Sequence, residues 1–557
     1  MEETPVAPSS SSSSSSSKII SALFYGTTSL VASLGLVLAK RWFAWLCSPL
    51  RKLPGPSGRD SMLGNFLEIN RSPFMEPHKK WWKDANHAPA LSYTIMFWRP
   101  SVIPLDKALV QSVLTAPYGK QPFKYKKIKR LLSDVLGDDG LVTLEGENWI
   151  RHRRMLQPSF NTSVLRDSLN QCIPNKVNRF IGHWEKAATH QREINVFSHL
   201  SSLTLDVIGD VAFSHDFHGL DMMQEWADKL NNSTVTDDGA ESEQLAHISD
   251  PFLQGLEKSL KFDLFTIGLS LVGLANFNRY INPRVRRNRS QLDEAVDAVV
   301  ADARRDTTKA KSLLHLMLQA KDDHVDTKKR KSIYLSDTEL RDEVKTFMIA
   351  GHETTSTWLY WCLYALSKYP DVQERVYQDI IQHAPPHSSG EKSGVEHIML
   401  NHVEKMDFMN AFLQEVLRLY PPVGLIPRQA AQEITAKAED GTTIAIPRGT
   451  RVTIPIHLMH RHPKYWDNPE EFQPERWLNV SDAEWDRRRF VFVPFSAGGR
   501  NCIGQKFATQ EAQLILAPIL RAYRVLLAPS QRDVEHEFTS RVTMRSKPSL
   551  KIVIHKR

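Results

Sequence analysis

A chain of 557 residues with 41% hydrophobic and 24% charged content has the make-up of a globular protein with room for a large core. A formal net charge of +8, with no basic run interleaved with aromatics, argues against a nucleic-acid groove and suits a membrane surface or an acidic protein partner. Four cysteines, Cys47, Cys172, Cys362 and Cys502, show no paired spacing, which excludes a zinc motif or disulfide framework and suits a reducing compartment.

The N-terminal region divides into three pieces. Residues 1–18 contain an unbroken serine tract, Ser9 to Ser17, which cannot bury a core and is expected to be disordered. Ile19 to Ala39 is uncharged over 21 residues and rich in Leu, Val and Ile, long enough to cross a bilayer core of ~30 Å. Lys40, Arg41, Arg51 and Lys52 follow it, so the positive-inside bias leaves the rest of the chain in the cytosol. A cleaved signal peptide is disfavoured by the acidic start and by the length of the apolar stretch. Trp42, Phe43 and Trp45 are expected at the headgroup level. Residues 40–57 read as a basic, Pro/Gly-rich linker in which Leu53-Pro54-Gly55-Pro56 forms a semi-rigid hinge. In this orientation none of the sequons at Asn161, Asn231, Asn232, Asn288 and Asn479 is glycosylated.

From 58 to 557 the pattern is mostly helical, with strand-like pieces at Thr443 to Pro447 and Arg451 to Pro455. Trp149-Ile-Arg-His-Arg153 places an indole and a guanidinium four residues apart, on one helix face. Thr234 to Asp250, Asp322 to Ser332 and Ala384 to Gly394 are polar stretches that read as solvated surface loops. Leu264 to Phe277 is apolar but too short to span a membrane, and suits a core or interfacial segment. An amphipathic helical stretch leads to Ala350-Gly351-His352-Glu353-Thr354-Thr355. Glu415-Val-Leu-Arg418 sets an acid and a base at i and i+3 of a helix, and Pro474-Glu475-Arg476-Trp477 follows.

The last pattern is Phe495-Ser-Ala-Gly-Gly-Arg500-Asn-Cys502-Ile-Gly504. A sulfur that ligates iron must be a thiolate, and needs N–H donors close by and little solvent. Gly498, Gly499 and Gly504 allow the tight backbone turns that bring such donors up to Cys502. A lone cysteine in a glycine-rich turn would be an inert core residue, but the whole run suits a haem-thiolate ligand, which pushes electron density onto iron and favours O–O cleavage.

This run resembles the haem-binding signature of the cytochrome P-450 superfamily. The other four motifs resemble that family's segments in the same order, across roughly residues 50–555. The resemblance implies one haem-thiolate domain, mainly α with small β-sheets, preceded by one transmembrane helix. It implies haem b with Cys502 as axial ligand, Phe495 beside the sulfur, and Trp149, Arg153, Arg428 and Arg500 at the propionates. Glu415, Arg418 and Arg476 would hold the fold around the haem. Ala350 to Thr355 would be a locally deformed part of the long central helix, where Thr354 holds a water and Glu353 passes protons inward. His352 is given no catalytic role. Leu264 to Phe277 would be a mobile roof over the substrate channel.

The activity implied is that of a monooxygenase, an oxidoreductase acting on paired donors with incorporation of molecular oxygen. No Gly-x-Gly-x-x-Gly opens a helix after a strand, so electrons are expected from a separate NADPH-dependent flavoprotein reductase. Arg151, Arg153 and Arg154 would offer it a basic docking face. Val423 to Ile426, Phe347, Ala350, Pro122 to Leu136 and Phe538 to Val542 would line a mostly apolar pocket, which suits a lipophilic small molecule. A terpenoid or polyketide-type secondary metabolite is the favoured substrate, with fatty-acid hydroxylation the alternative. A reductase-independent isomerase or dehydratase, or a non-catalytic haem carrier, is disfavoured by the intact Glu353-Thr354 pair. The expected location is the endoplasmic reticulum, single-pass, with the catalytic domain facing the cytosol.

Overall fold

The computed structural model describes residues 35–116, 123–124, 135–224, 282–305, 312–320, 334–385, 398–540 and 543–557, with a few isolated positions besides. The serine tract, most of the apolar segment 19–39, the loops 234–250 and 322–332, most of 384–394 and the segment 264–277 lie outside the described residues, as does most of 122–136.

The longer helices are α1 (Gly146–Leu156), α2 (Thr162–Thr189), α3 (Val196–Ile208), α4 (Pro283–Arg305), α5 (Asp337–Lys368), α6 (Pro370–His383), α7 (Asp407–Leu419) and α8 (Gln505–Ala522). Strands β1 (Ala90–Ile95), β2 (Arg99–Pro104), β3 (Phe123–Lys124), β5 (Ile426–Ala430) and β8 (Arg451–Ile454) form one sheet in the order β1-β2-β8-β5-β3. In it β2 and β8 run parallel and the other neighbours antiparallel. A second sheet, β4-β12-β9, joins β4 (Ile194–Asn195) to β12 (Lys551–Lys556) and β9 (Tyr523–Leu527). Two hairpins complete the set, β6–β7 (Ile434–Lys437, Thr443–Ile446) and β10–β11 (Glu537–Ser540, Met544–Lys547). The two strands expected near 443 and 451 are β7 and β8.

Helix α5 organises the body. Ser336 caps it by accepting the Glu339 N–H at 3.2 Å, and the Glu339 carboxylate returns to the Ser336 N–H at 2.8 Å, a reciprocal arrangement that satisfies two end donors. Its 32 residues make a rod roughly 48 Å long at ~1.5 Å per residue. Most of the rod is buried, packed against α3 and, less extensively, against α8. The main core fills the space between these helices and the β4-β12-β9 sheet, and includes Trp361 stacked on Tyr420 with centroids 4.7 Å apart. A second core packs Trp466, Trp477, Val452 and Ile454 around the five-stranded sheet.

The linker departs from the expectation of a hinge. Trp45, expected among lipid headgroups, is 1% exposed in the second core, and its indole N–H donates to Asp60 Oδ1 at 2.7 Å. Trp42 and Phe43 remain exposed. The Arg59 guanidinium donates to Leu53 O at 2.8 Å, Arg51 O at 3.2 Å and Ser92 Oγ at 3.0 Å. Gly55 runs so close to β1 that an added Cβ would stand 1.9 Å from the Ser92 carbonyl oxygen. Proline and glycine here serve a close backbone approach and not a bend. Among the described residues one helical stretch is long and apolar enough to cross a membrane, Val196–Phe213, and 83% of it is buried inside the body, as befits a core helix.

Candidate active site

The segment 495–504 folds into a loop because its backbone closes on itself: the Cys502 N–H donates to Phe495 O at 2.8 Å. Gly498 makes the turn possible. It sits at φ +70°, and a Cβ there would stand 2.1 Å from the Leu114 carbonyl oxygen. The loop ends at Gly504, which caps α8, so Cys502 lies at the positive end of that helix. Burial pushes the Cys502 thiol above its ordinary range, while the Gly504 N–H and the Arg153 charge pull the other way. The sulfur is wrapped by protein yet faces an open cavity.

That cavity runs from Cys502, Ile503 and Gly504 up to Phe347, Ala350, Gly351 and Thr354 on α5. Trp149 and Arg153 of α1, with Arg500, form one wall, and Phe160, Leu165, Ile208 and Val211 supply apolar surface. Arg153 donates to both Asn501 O and Asn501 Oδ1 at 2.9 Å, which ties α1 to the cysteine loop. Arg500 donates to Leu144 O at 2.8 Å, and its guanidinium lies 4.2 Å from the Trp149 ring centre, a cation–π contact. One thiol at the floor, apolar walls and two guanidinium groups on one side are the donor set that a flat apolar macrocycle with two carboxylates requires. The residues present fit haem.

The site residues expected from sequence divide into those the fold brings together and those it does not. Trp149, Arg153, Thr354, Arg500 and Cys502 all line the cavity. Phe495 lies behind the loop, edge-on to Trp358 with centroids 6.0 Å apart. Arg428 is buried on β5, donates to Pro427 O at 3.1 Å, and is not part of the lining. Glu353 is turned away from the cavity altogether. Its buried carboxylate accepts from Thr543 Oγ1 at 2.7 Å and pairs with Arg545. Successive residues of a helix point about 100° apart, and here that turn takes Glu353 to the hairpin while Thr354 stays on the cavity side.

The helix assignment of α5 runs unbroken through Ala350 to Thr355, and Thr354 Oγ1 donates to Ala350 O at 2.6 Å, a back-bond of the kind that often bends a helix. Gly351 is the close-approach point, where a Cβ would stand 2.9 Å from Ile208. His352 is buried, with Nε2 2.5 Å from Ser201 Oγ, and burial lowers it to about 4, so the ring is a neutral packing element.

Two further differences concern charge. Arg151, expected on a basic docking face, is buried against the start of α5 and donates to Glu339 at 2.7 Å and to Tyr334 O at 2.9 Å. Arg154, next on the helix but on its outer side, is exposed. Glu511 of α8 was not singled out in the sequence. It is fully buried, accepts the Thr355 hydroxyl at 3.1 Å, and is pushed up by burial to about 8.

Beneath the cavity Glu415 and Arg418 form a doubly hydrogen-bonded pair at 2.8 and 2.9 Å, both side chains wholly buried. Glu415 also accepts from Arg476 Nε at 3.0 Å, the Trp477 indole at 2.8 Å and the Gln473 N–H at 2.9 Å. Arg418 spends its remaining donors on the carbonyls of His460, Pro469 and Glu471 at 3.0, 2.6 and 2.8 Å. His460, held neutral by burial, accepts the Val493 N–H at 2.9 Å and so links this network to the strand of chain entering the cysteine loop. Every buried charge here has partners, the condition under which such a pair is tolerated.

A loop-borne thiol under a long helix, with arginines along one wall of an apolar slot, defines a protein of the haem-thiolate class. The chain belongs to the cytochrome P-450 family, whose sequence profile matches residues 54–553. Similar proteins include cytochrome P-450 4A11 of Homo sapiens, 28% identical over 532 residues covering 95% of this chain and 93% of that protein. Cytochrome P-450 4F3 of Rattus norvegicus is 30% identical over 485 residues, covering 86% and 85%, and cytochrome P-450 4A10 of Mus musculus is 29% identical over 445 residues, covering 79% and 78%. The chain is therefore a cytochrome P-450 monooxygenase with a haem-thiolate cofactor, and the family implies a small-molecule substrate and a reductase partner.

Proposed function

We propose that this monooxygenase hydroxylates a fatty-acid-type chain, with electrons from a separate NADPH-dependent flavoprotein reductase. The terpenoid or polyketide substrate favoured from sequence gives way, because the relatives reported above are mammalian 4A and 4F proteins matched over 79% to 95% of this chain. The observation that carries the reading is the cavity itself, which unites Cys502 and Thr354 with apolar surface and, along one wall, the guanidinium groups of Arg153 and Arg500.

The roles follow from position. Cys502 would ligate the haem iron through its thiolate, and Trp149, Arg153 and Arg500 would hold the carboxylate groups of the haem. Bound haem supplies dioxygen activation and oxygen insertion, with the thiolate lending electron density to iron. Phe160, Leu165, Ile208, Val211 and Phe347 bind hydrocarbon and keep bulk water from the reacting carbon. Thr354 Oγ1 holds a water or a proton at the α5 side, and Glu353 supplies protons from behind the helix. The segment 19–39 anchors the chain in the endoplasmic reticulum membrane, body towards the cytosol, and a lipophilic substrate enters from the bilayer.

The test begins with the reduced, carbon monoxide-bound difference spectrum of the membrane-expressed protein. A strongly red-shifted Soret band in the wild type, absent in Cys502→Ser, supports the ligand assignment. Reconstitution with a reductase and a saturated fatty acid should then give a hydroxylated product and NADPH consumption. Consumption without product on fatty acids, together with product on a terpenoid, would reverse the substrate choice.

A further inference from the structure

Helix α3 does not stop at Ile208. Residues Gly209–Phe213 carry it on as a π-turn, the wider i→i+5 winding that is rare in proteins and recurs at functional sites. The turn ends where Ser214 takes the left-handed region at φ +53°, with the Ser214 N–H on Asp210 O at 3.2 Å and the His215 N–H on Gly209 O at 3.1 Å. Only glycine suits position 209, because a Cβ there would stand 2.5 Å from the His215 carbonyl oxygen. Ile208, Val211 and Ala212, all from this stretch, are part of the apolar lining of the cavity. A π-turn advances less around the axis per residue than an α-turn, so this winding decides which way Val211 and Ala212 face relative to Ile208.

A buried cation on α2 is gathered into the turn. The Lys176 side chain is 7% exposed, and its ammonium lies 3.3 Å from Asp210 within the π-turn. It lies 2.9 Å from Asp216 on the returning chain and 4.0 Å from Asp206 at the end of α3. Asp206 accepts the Gly219 and Leu220 N–H groups at 2.8 and 2.9 Å, which ties the returning chain down at its far end as well. Burial alone would lower the Lys176 ammonium, but the Asp216 hydrogen bond and the charges of Asp206, Asp210 and Asp216 hold it above its ordinary range. Removing the cation would leave three carboxylates close together without their common partner, a costly arrangement away from water. Lys176 itself does not line the cavity.

We infer that Lys176 is a positioning residue for the substrate. By gathering Asp206, Asp210 and Asp216 it fixes the π-turn, and with it the wall made by Ile208, Val211 and Ala212. That wall sets how far a hydrocarbon chain extends into the cavity, and so which carbon is presented for oxidation. The inference rests on the monooxygenase reading and on the cavity as its substrate site, whatever the hydrocarbon.

The experiment uses the full-length, haem-loaded protein and its variants Lys176→Met, Lys176→Arg and Ala212→Phe. The probe is a series of straight-chain 1-alkylimidazoles, whose ring nitrogen ligates haem iron and whose tail measures the room in the cavity. Binding is read from the Soret shift without turnover. Ala212→Phe should shorten the longest tail that binds. Lys176→Met should keep the red-shifted carbon monoxide band, weaken the tail length preferred by wild type several-fold and move the preference to another length, while Lys176→Arg restores the wild-type profile. In reductase-coupled turnover Lys176→Met should also redistribute the positions of hydroxylation along a saturated chain. A wild-type length profile and wild-type positions in Lys176→Met would overturn the proposal, and a fall in thermal stability with that same profile would make Lys176 a brace only. An unchanged profile in Ala212→Phe would overturn it too, since the wall would then not bound the chain. If Lys176→Met fails to take up haem, Asp210→Asn removes one carboxylate from the cluster at nearly constant shape, and an unchanged profile there overturns the proposal. A wild type without the red-shifted band fails the monooxygenase reading. Absence of product from a fatty acid, with the length profiles as expected, fails only the substrate choice and leaves the role of Lys176 supported.

Discussion

Thr354 stands where α5 faces the cysteine loop, and its hydroxyl is occupied by Ala350 O at 2.6 Å. The hydroxyl's oxygen lone pairs can still accept from a water, on a helix face that also carries Thr346 and Thr355. Thr354→Ala is expected to leave the thiolate spectrum intact and to lower product per NADPH by about 10-fold or more, the size of a lost proton-transfer group. Peroxide release measured beside product checks it, and full coupling in the variant would remove Thr354 from proton delivery. Glu511 poses a different residue-scale question. Its pKa is raised to about 8 by burial from an ordinary 4.5, so the fold binds a proton that the unfolded chain releases. Its contribution is present below the unfolded value and is lost as pH rises towards 8, a decline on the order of a few kcal/mol. Glu511→Gln, which keeps an acceptor for Thr355, should flatten the fall in thermal stability between pH 5 and 8, and a variant with the same slope would show that Glu511 does not set it. Cys502, Gly498 and Arg500 were legible because one contiguous run carries them. Arg545 was not, since its partner Glu353 is 192 residues away and no spacing rule connects them.

Elements reveal how much of the site is support. Glu415-Val-Leu-Arg418 was readable as a helical i, i+3 pair because helical phase is local, whereas Arg476 was readable as its third member only through the family resemblance. The acceptors that satisfy Arg418 were not readable: the carbonyls of His460, Pro469 and Glu471 lie on irregular chain with no periodicity to betray it. Nor was the bridge from His460 to Val493, which carries the network to the cysteine loop. Removing Arg476 leaves Glu415 with one guanidinium partner in a wholly buried setting, and breaking such a network costs about 3–5 kcal/mol. Arg476→Ala should therefore unfold at lower temperature and show a smaller haem-to-protein ratio on purification, with the haem that is bound still giving the red-shifted band. A normal haem ratio with reduced turnover would instead place Arg476 in the chemistry. The hairpin partners of Glu353 were likewise unreadable: the resemblance implied that it passes protons inward, while the fold holds its carboxylate on Thr543 and Arg545 behind α5.

At the scale of the whole molecule, the boundary between anchor and body falls earlier than composition suggests. Proline and glycine at 54–56 read as a hinge because their partner, Ser92 on β1, is invisible to any local rule. Trp45 read as a headgroup residue because a tryptophan after an apolar segment usually meets the interface. In the fold it is a core residue with its indole N–H on Asp60, so the chain from 45 onward belongs to the body. A protein begun at residue 44 should then match the thermal stability of the longer chain, whereas one begun at 58 loses Trp45 and Leu50 from the core. Both of those side chains are almost wholly buried, and emptying such sites costs several kcal/mol, about 3–5 for a tryptophan. Thermal unfolding of the two truncations, with Trp45→Ala as the single-residue control, measures the difference directly. Equal stability for both would return the boundary to residue 58. A drop confined to the shorter form and to Trp45→Ala would mean that the helix over 35–46 leaves the body in a fixed direction, so the tilt of the catalytic body above a membrane is set by packing at Trp45 and not by the freedom of a tether.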